Sequence, residues 1–342
     1  YKMVLAIAIP IMIQNGITNF VSLLDNIMVG QIGTEQMSGV AIVNQLIFVY
    51  NLCIFGGVSG AGIFTAQYFG QKDDEGIRHT FRFKLWVSAI LTALVIVIFI
   101  ISGESLIQIY LNGSSDGGDL AAALRYGRQY MLVMLCGLPA FMMVQTYAST
   151  LRECGETMVP MKAGVTAVLV NLVFNYLLIY GKFGFPELGV VGAAIATVLA
   201  QFIVMTVLVL GVIRDGKKNV LSECYLFRPS EKKYYQGIFR IGVPTALQRT
   251  AYCAISMVLT RMVADFGPAA VAVQRVGGQV EALSWNTADG FAASINAFSA
   301  QNYGAGKMDR IRKGYWIAFR TIAAWGCLIM ALFFIFPEPL SE

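Results

Sequence analysis

The first apolar stretch of the sequence carries a row of polar side chains. Gln14, Thr18, Ser22 and Asp25 follow one another at spacings of 4, 4 and 3 residues, which puts them on one face of a helix. A carboxylate inside a membrane can bind and release a proton, and such residues mark transport pathways. We therefore predict a functional site centred on Asp25. Two other interpretations stay open, because the hydroxyls could join helices by hydrogen bonds and Asp25 could lie at the membrane interface.

Two asparagines in the fifth apolar stretch are the expected partners of that carboxylate. Asn171 and Asn175 lie one helical turn apart on the same face. Asn175 is about as far from Gly181, at the end of its stretch, as Asp25 is from Gly30. We expect the three side chains to share a cavity in the outer half of the membrane. That site would couple transport to H⁺ or hold Na⁺ on its oxygens.

Other polar residues inside apolar stretches are weaker candidates for binding substrate or ion. Polar side chains at membrane depth face protein or water rather than lipid. The candidates in the first part of the chain are Gln14, Thr18, Thr197, Gln145 and Gln201, and those in the later part are Gln248, Tyr252, Glu281 and Asp289.

The sequence shows no pattern typical of an enzyme. Its only histidine, His79, is assigned to a loop, and its six cysteines are scattered without a CxxC pair. A GxxxxGK[ST] phosphate-binding loop is also missing from the sequence. We therefore expect no enzyme activity and no cofactor. Transport would then be driven by an ion gradient or by the gradient of the solute itself.

The elements that must position these residues are membrane-spanning helices. The chain of 342 residues is 57% hydrophobic and only 13% charged, whereas soluble domains carry about 25% charged residues. Backbone groups in a bilayer must be paired internally, so long apolar runs without alternation predict helices. The fold class is therefore an all-α integral membrane protein, with no signal peptide and no nucleic-acid partner expected. The predicted helices span 5–29, 43–69, 83–102, 124–148, 162–180, 190–213, 238–263, 276–302 and 315–336.

The distribution of basic residues predicts the orientation. With the N-terminus in the cytoplasm, 18 of the 25 Lys and Arg residues fall on the cytoplasmic side and three fall outside. That asymmetry agrees with the positive-inside rule. The longest polar segment, 214–237, is predicted to be a cytoplasmic linker between a six-helix lobe (1–213) and a partial second lobe (238–342).

An internal repeat relates these two parts. A shift of 234 residues aligns positions 7–78 with the later chain without a gap and gives 15 identities in 72 positions. Six predicted helices lie between the two starts, and an even number keeps both copies in the same orientation. Parallel repeats of this kind place a substrate site between two halves that rock against each other.

Four segments of the chain resemble one family of transporters. They are Ala8-Ile9-Pro10 with Leu24-Asp25-Asn26-Ile27-Met28-Val29-Gly30; Ala66-Gln67-Tyr68-Phe69-Gly70 with Ala300-Gln301-Asn302-Tyr303-Gly304-Ala305-Gly306; Leu151-Arg152-Glu153-Cys154-Gly155-Glu156-Thr157 before Pro160; and Asn171 through Gly184-Phe185-Pro186-Glu187-Leu188-Gly189 to Gly192-Ala193-Ala194-Ile195-Ala196-Thr197. Together they resemble the multidrug and toxic compound extrusion (MATE) family of cation-coupled efflux transporters.

The resemblance implies twelve helices in two six-helix lobes, of which this sequence would hold helices one to nine, with the second repeat incomplete. It implies a monomer in the cell membrane that exchanges H⁺ or Na⁺ for amphipathic, often cationic, compounds. Asp25 and Asn171 match a first-helix acid and a fifth-helix asparagine of the family. Asn175 stands where several members carry Asp, and Tyr252 where others carry a coupling Glu.

Two alternatives remain open. One is a flippase for lipid-linked oligosaccharides or polysaccharides on a related fold, which would need basic residues such as Arg249 in its central cavity. The other is a membrane receptor or scaffold that transports nothing.

Overall fold

The computed structural model describes residues 9–14, 16–17, 24, 28, 30–112, 120–215, 221, 232–264, 266 and 268–335. The first helix, α1, is described only at residues 9–14, 16–17, 24, 28 and 30. The helices that follow are α2 (Thr34–Gln71), α3 (Asp74–Asn112), α4 (Leu120–Glu153), α5 (Met158–Tyr180), α6 (Val190–Asp215), α7 (Lys232–Ala264), α8 (Pro268–Gly304) and α9 (Met308–Ile335), with a 3₁₀ turn at Lys182–Gly184.

The described helices are mostly longer than the apolar stretches that predicted them. The second was predicted at 43–69 but spans Thr34–Gln71, and the third was predicted at 83–102 but spans Asp74–Asn112. A helix satisfies its own backbone hydrogen bonds, so it continues into polar sequence until turn residues stop it. The predicted linker is therefore shorter than 214–237, because α6 continues to Asp215 and α7 begins at Lys232. His79, which was assigned to a loop, is a buried residue of α3.

Six helices in the described part of the chain, α2 to α6 and α9, are long and apolar enough to cross a membrane. With 33 and 37 residues, α7 and α8 are also longer than the roughly 20 residues that a bilayer requires. Their sequences contain more polar residues, so α7 and α8 are not among the six helices that are apolar enough by composition. The chain is therefore a polytopic helical bundle.

The first lobe is built around α4, which packs between α2 and α6. On the α2 side the two helices approach at Gly39, where a Cβ atom would lie 2.5 Å from the carbonyl oxygen of Ala123. The buried hydroxyl of Tyr50 on α2 adds a polar tie by donating to the carbonyl oxygen of Leu138 on α4. Two clusters of buried apolar residues fill the lobe, one between α2, α3, α4, α5 and α6 and one between α3, α4, α5 and α6. The second cluster lies at the end where α4 passes into α5, which we call the α4–α5 end.

The two copies of the repeat cross each other at this same end. A Cβ atom on Gly70 of α2 would overlap the carbonyl oxygen of Gln301, and a Cβ atom on Gly304 of α8 would overlap that of Gln67. Gln67 and Gln301 are equivalent in the repeat, as are Gly70 and Gly304, so each copy makes the same contact with the other. Self-complementary contact of this kind is the signature of two-fold symmetry.

A polar cavity inside the first lobe

A cavity of about 290 Å³ lies inside the first lobe between α1, α4, α5 and α6. Apolar side chains form much of its wall, as in most small-molecule sites. Its polar wall brings together five residues predicted from the sequence and one that was not: Gln14, Gln145, Asn171, Thr197, Gln201 and Arg152.

The asparagines form one chain of hydrogen bonds across α5 and α6. The Nδ2 group of Asn175 donates to Oδ1 of Asn171 over 3.1 Å, and Nδ2 of Asn171 donates to Oγ1 of Thr197 over 3.2 Å. The hydroxyl of Thr197 donates onward to the carbonyl oxygen of Ala193. Asn171 and Asn175 are both buried and joined by a hydrogen bond, so they lie on one face of α5.

The cavity extends towards the α4–α5 end rather than only outward from the asparagines. Arg152 and Pro160 line it near the turn between the two helices, whereas Asn171 is deeper along α5. The prediction placed the shared cavity in the outer half of the membrane. The described cavity extends instead from Asn171 towards the α4–α5 end. Gly164 lets Gln14 of α1 pack against α5 in this wall, because a Cβ atom on Gly164 would lie 2.7 Å from Nε2 of Gln14.

Arg152 is the residue that the sequence analysis missed. It lies beyond the predicted helix 124–148 and was one of the 18 basic residues counted on the cytoplasmic side, but α4 continues to Glu153 and Arg152 is part of the cavity wall. Its Nη2 group donates to Oε1 of Gln14 over 3.0 Å. Arg152 could have been identified from its position, because it lies only about one helical turn beyond position 148, where the apolar stretch ends.

A buried ion pair lies next to the cavity but outside its wall. The ammonium group of Lys84, on α3, pairs with a carboxylate oxygen of Glu153 and donates to Oγ1 of Thr150. Lys84 was counted among the basic residues of the cytoplasmic side, at the start of the predicted helix 83–102, yet its side chain is fully buried. Its position could have been recognised, because the buried residues Thr80, Lys84, Ser88 and Thr92 form a stripe at spacings of four on α3.

Three of the four second-lobe candidates are described, and none of the three lines this cavity. Gln248 and Tyr252 on α7 and Asp289 on α8 are exposed side chains of the described chain. Asp25 and Thr18 lie outside the described residues, as do the side chains of Glu281 and Arg249. The carboxylate at the centre of the predicted site, and the arginine of the flippase alternative, therefore remain predictions. Among the residues that the structure describes, no group of three or more His, Cys, Asp or Glu side chains could hold a metal ion.

The thiol of Cys154, in the turn after α4, is expected to resist modification. Burial, and to a smaller extent the neighbouring Glu153, raise the pKa of Cys154 to about 12. Since the thiolate is the reactive form, roughly one molecule in ten thousand is reactive at pH 8. We expect maleimide labelling of Cys154 in the folded protein to be more than 100-fold slower than after unfolding, and to rise about tenfold per pH unit up to that pKa.

Peptide mass spectrometry of the labelled protein measures this rate, and Cys154→Ser identifies the peptide. Labelling as fast in the folded as in the unfolded protein would contradict the assignment.

Comparison with known families identifies the family of this chain. The MatE family model matches residues 10–177 and again residues 244–342. The chain belongs to the MatE family. The two MatE matches begin 234 residues apart, the same shift that aligns the repeat in the sequence.

Similar proteins agree with the MatE assignment. The chain is 27% identical to a probable multidrug resistance protein NorM of Thermotoga maritima, over 99% of this chain and 71% of that protein. It is 24% identical to the multidrug resistance protein MdtK of Pectobacterium atrosepticum, over 98% and 72% of the two chains. A crystal structure of MATE in the bent conformation superposes with a TM-score of 0.86 at 22% identity, covering 99% of this chain and 73% of that one. The MatE chain is thus a multi-pass membrane protein with the MATE fold.

Proposed function

We propose that this MatE protein is a secondary active transporter that exports amphipathic organic compounds, cationic ones included, in exchange for H⁺ or Na⁺. The named relatives are multidrug resistance proteins, which supports export of varied compounds. The two copies of the repeat would rock about their crossing at the α4–α5 end, opening the site alternately to each side of the membrane. No cofactor takes part, and the protein acts as a monomer with its N-terminus in the cytoplasm.

The observation that carries the proposal is the polar cavity within an apolar helical lobe. Keeping several amides at membrane depth is costly unless they serve a pathway. Asn171 and Asn175 are buried and hydrogen-bonded, and Thr197 continues their chain along the cavity wall. We propose that Asp25 completes this set as the carboxylate that couples transport to the ion. Asp25 would bind the proton, or Asp25 and the amide oxygens would coordinate Na⁺.

Asp25→Asn is expected to reduce efflux of a cationic dye at least tenfold, because an amide can neither release a proton nor balance a sodium ion. The measurement is dye efflux from cells that express the full-length protein at equal levels. Glu104→Gln is the matched control, since Glu104 is half exposed on the surface and its pair with Arg128 contributes little. Unchanged efflux in Asp25→Asn would remove Asp25 from the mechanism. Absence of efflux in the parent would instead favour the flippase or the scaffold.

A further inference from the structure

The last turn of α4 leaves a backbone acceptor that the second copy of the repeat uses. The final carbonyl oxygens of a helix have no partner within that helix. Just beyond α4, Gly155 has a left-handed backbone with φ of 87°, and its amide donates to the carbonyl oxygen of Arg152. The carbonyl oxygen of Glu153 instead accepts a hydrogen bond from Nε2 of Gln301 on α8, over 2.6 Å. Donor and acceptor therefore belong to different copies of the repeat.

The acceptor is held in place by the contacts of the Glu153 side chain. Its carboxylate pairs with the buried ammonium group of Lys84 on α3 and also interacts with the guanidinium of Arg152. The carboxylate packs against α2 as well, since a Cβ atom on Gly62 would overlap Oε1 of Glu153. Breaking a buried ion pair is costly, so these contacts resist movement of the α4 end. The carbonyl oxygen of Glu153 is therefore a fixed point of the first lobe.

The other contacts of α8 with the first lobe do little to fix its angle. Along α2, Gly70 and Gly304 lie against the backbones of Gln301 and Gln67. Glycines let two helices approach closely, and without interdigitating side chains the helices can turn about their point of contact.

The hydrogen bond of Gln301 is sensitive to that turning. Glu153 ends α4 and so lies to one side of the crossing between α2 and α8. A shift of about 1 Å between donor and acceptor would lengthen the bond beyond its usual range. The side chain of Gln301 is buried, which leaves it little room to follow. Rotation of α8 about the crossing therefore breaks this bond while the glycine contacts persist.

We propose that Gln301 fixes the angle between the two copies of the repeat by holding the carbonyl oxygen of Glu153. Gln301 is thus a positioning residue, and its hydrogen bond must break before the two copies can rock. The assignment rests on the proposed transport function only in treating that rotation as a step of the transport cycle.

Distances between two spin labels, measured by double electron–electron resonance on the purified full-length protein in detergent, test the proposal. Met37→Cys and Met262→Cys carry the labels, after the six native cysteines are changed to serine. Both positions are exposed and lie at the ends of α2 and α7 remote from the crossing. We expect one dominant distance in the parent. Gln301→Leu should raise the ratio of a second, rotated population to the first by about fivefold or more, because a hydrogen bond between the copies is lost.

Two further variants separate the hydrogen bond from a general effect on packing. Gln301→Glu keeps the size and polarity of the side chain, but at pH 8 an ionised carboxylate has no proton to donate. It should therefore release the angle as Gln301→Leu does, and it tests the proposal if Gln301→Leu fails to fold. Gln67→Leu is the matched control at the equivalent position of the first copy, whose side chain donates to none of the described residues. Its distances should equal those of the parent.

The proposal is overturned if both Gln301 variants keep the distances of the parent, or if Gln67→Leu changes them as much. A parent that populates two distances equally would also show that the bond does not fix the angle. The measurement needs no ion gradient, so its failure leaves the efflux experiment with Asp25→Asn unaffected. A protein whose angle is released by Gln301→Leu, but whose parent exports no dye, would retain this role of Gln301 and reject the transport proposal.

Discussion

Lys84→Met is expected to lower the stability of the first lobe by about 3–5 kcal/mol, the largest effect of any single substitution considered for this protein. The substitution removes the ammonium group that pairs with Glu153 while leaving the carboxylate buried. The hydroxyl of Thr150 also loses the hydrogen bond that it accepts from Lys84. Arg152 is close enough to interact with the same carboxylate, so we expect a value near the lower limit of that range.

Thermal unfolding in detergent, followed by circular dichroism, measures the loss. Lys84→Met combined with Glu153→Gln should recover much of the stability, because no uncompensated charge then remains buried. Lys162→Met is the control, since Lys162 lies exposed near the start of α5. Equal losses in the single and the double variant would show that packing, rather than the unpaired charge, explains the effect.

Gly70→Ala and Gly304→Ala are each expected to weaken the crossing of α2 and α8 by about 1–3 kcal/mol, the usual cost of overpacking. At either position the added methyl group would meet a backbone carbonyl oxygen, which cannot rotate away as a side chain can. The helices must therefore separate. Because one separation relieves both clashes, the double variant should cost less than the sum of the two single variants.

Gly242→Ala is a matched control for this crossing. Gly242 also lies where the two repeats meet, but its Cβ atom would be 3.6 Å from the Cα atom of Gly60, an ordinary contact. The unfolding temperature in detergent should therefore fall for Gly70→Ala and Gly304→Ala but not for Gly242→Ala. Similar losses in all three would mean that the close approach to a carbonyl oxygen does not determine the effect, since helix propensity alone favours Ala over Gly.

Much of the fold and part of the cavity could be predicted from the sequence for one physical reason. Apolar stretches must be helices in a bilayer, and a polar residue inside such a stretch must face protein. This argument selected Gln14, Asn171, Thr197 and two glutamines, all of which the structure places in the wall of the cavity. It needs only local spacing and no knowledge of tertiary structure.

The charged residues could not be predicted by the same argument. Counting basic residues assumes that charge lies in water beyond the helix ends, and Arg152 and Lys84 both break that assumption. The partner of Lys84 is Glu153, 69 residues later in the chain, and no local pattern indicates that pairing. The hydrogen bond from Nε2 of Gln301 to the carbonyl oxygen of Glu153, over 2.6 Å, depends likewise on how the two repeats meet.

The glycine contacts of α2 with the second repeat lie in the last part of that helix. Gly60 meets Gly242, Phe64 meets Gly237, and Gly70 meets Gln301. From Thr34 to Gly60 the helix extends for ~39 Å at 1.5 Å per residue. The contact region can therefore act as the fulcrum of a long lever. A rotation of about 10° around it would move the opposite end of α2 by ~7 Å, roughly the width of an organic ring, while the glycine contacts shift by only a fraction of that distance.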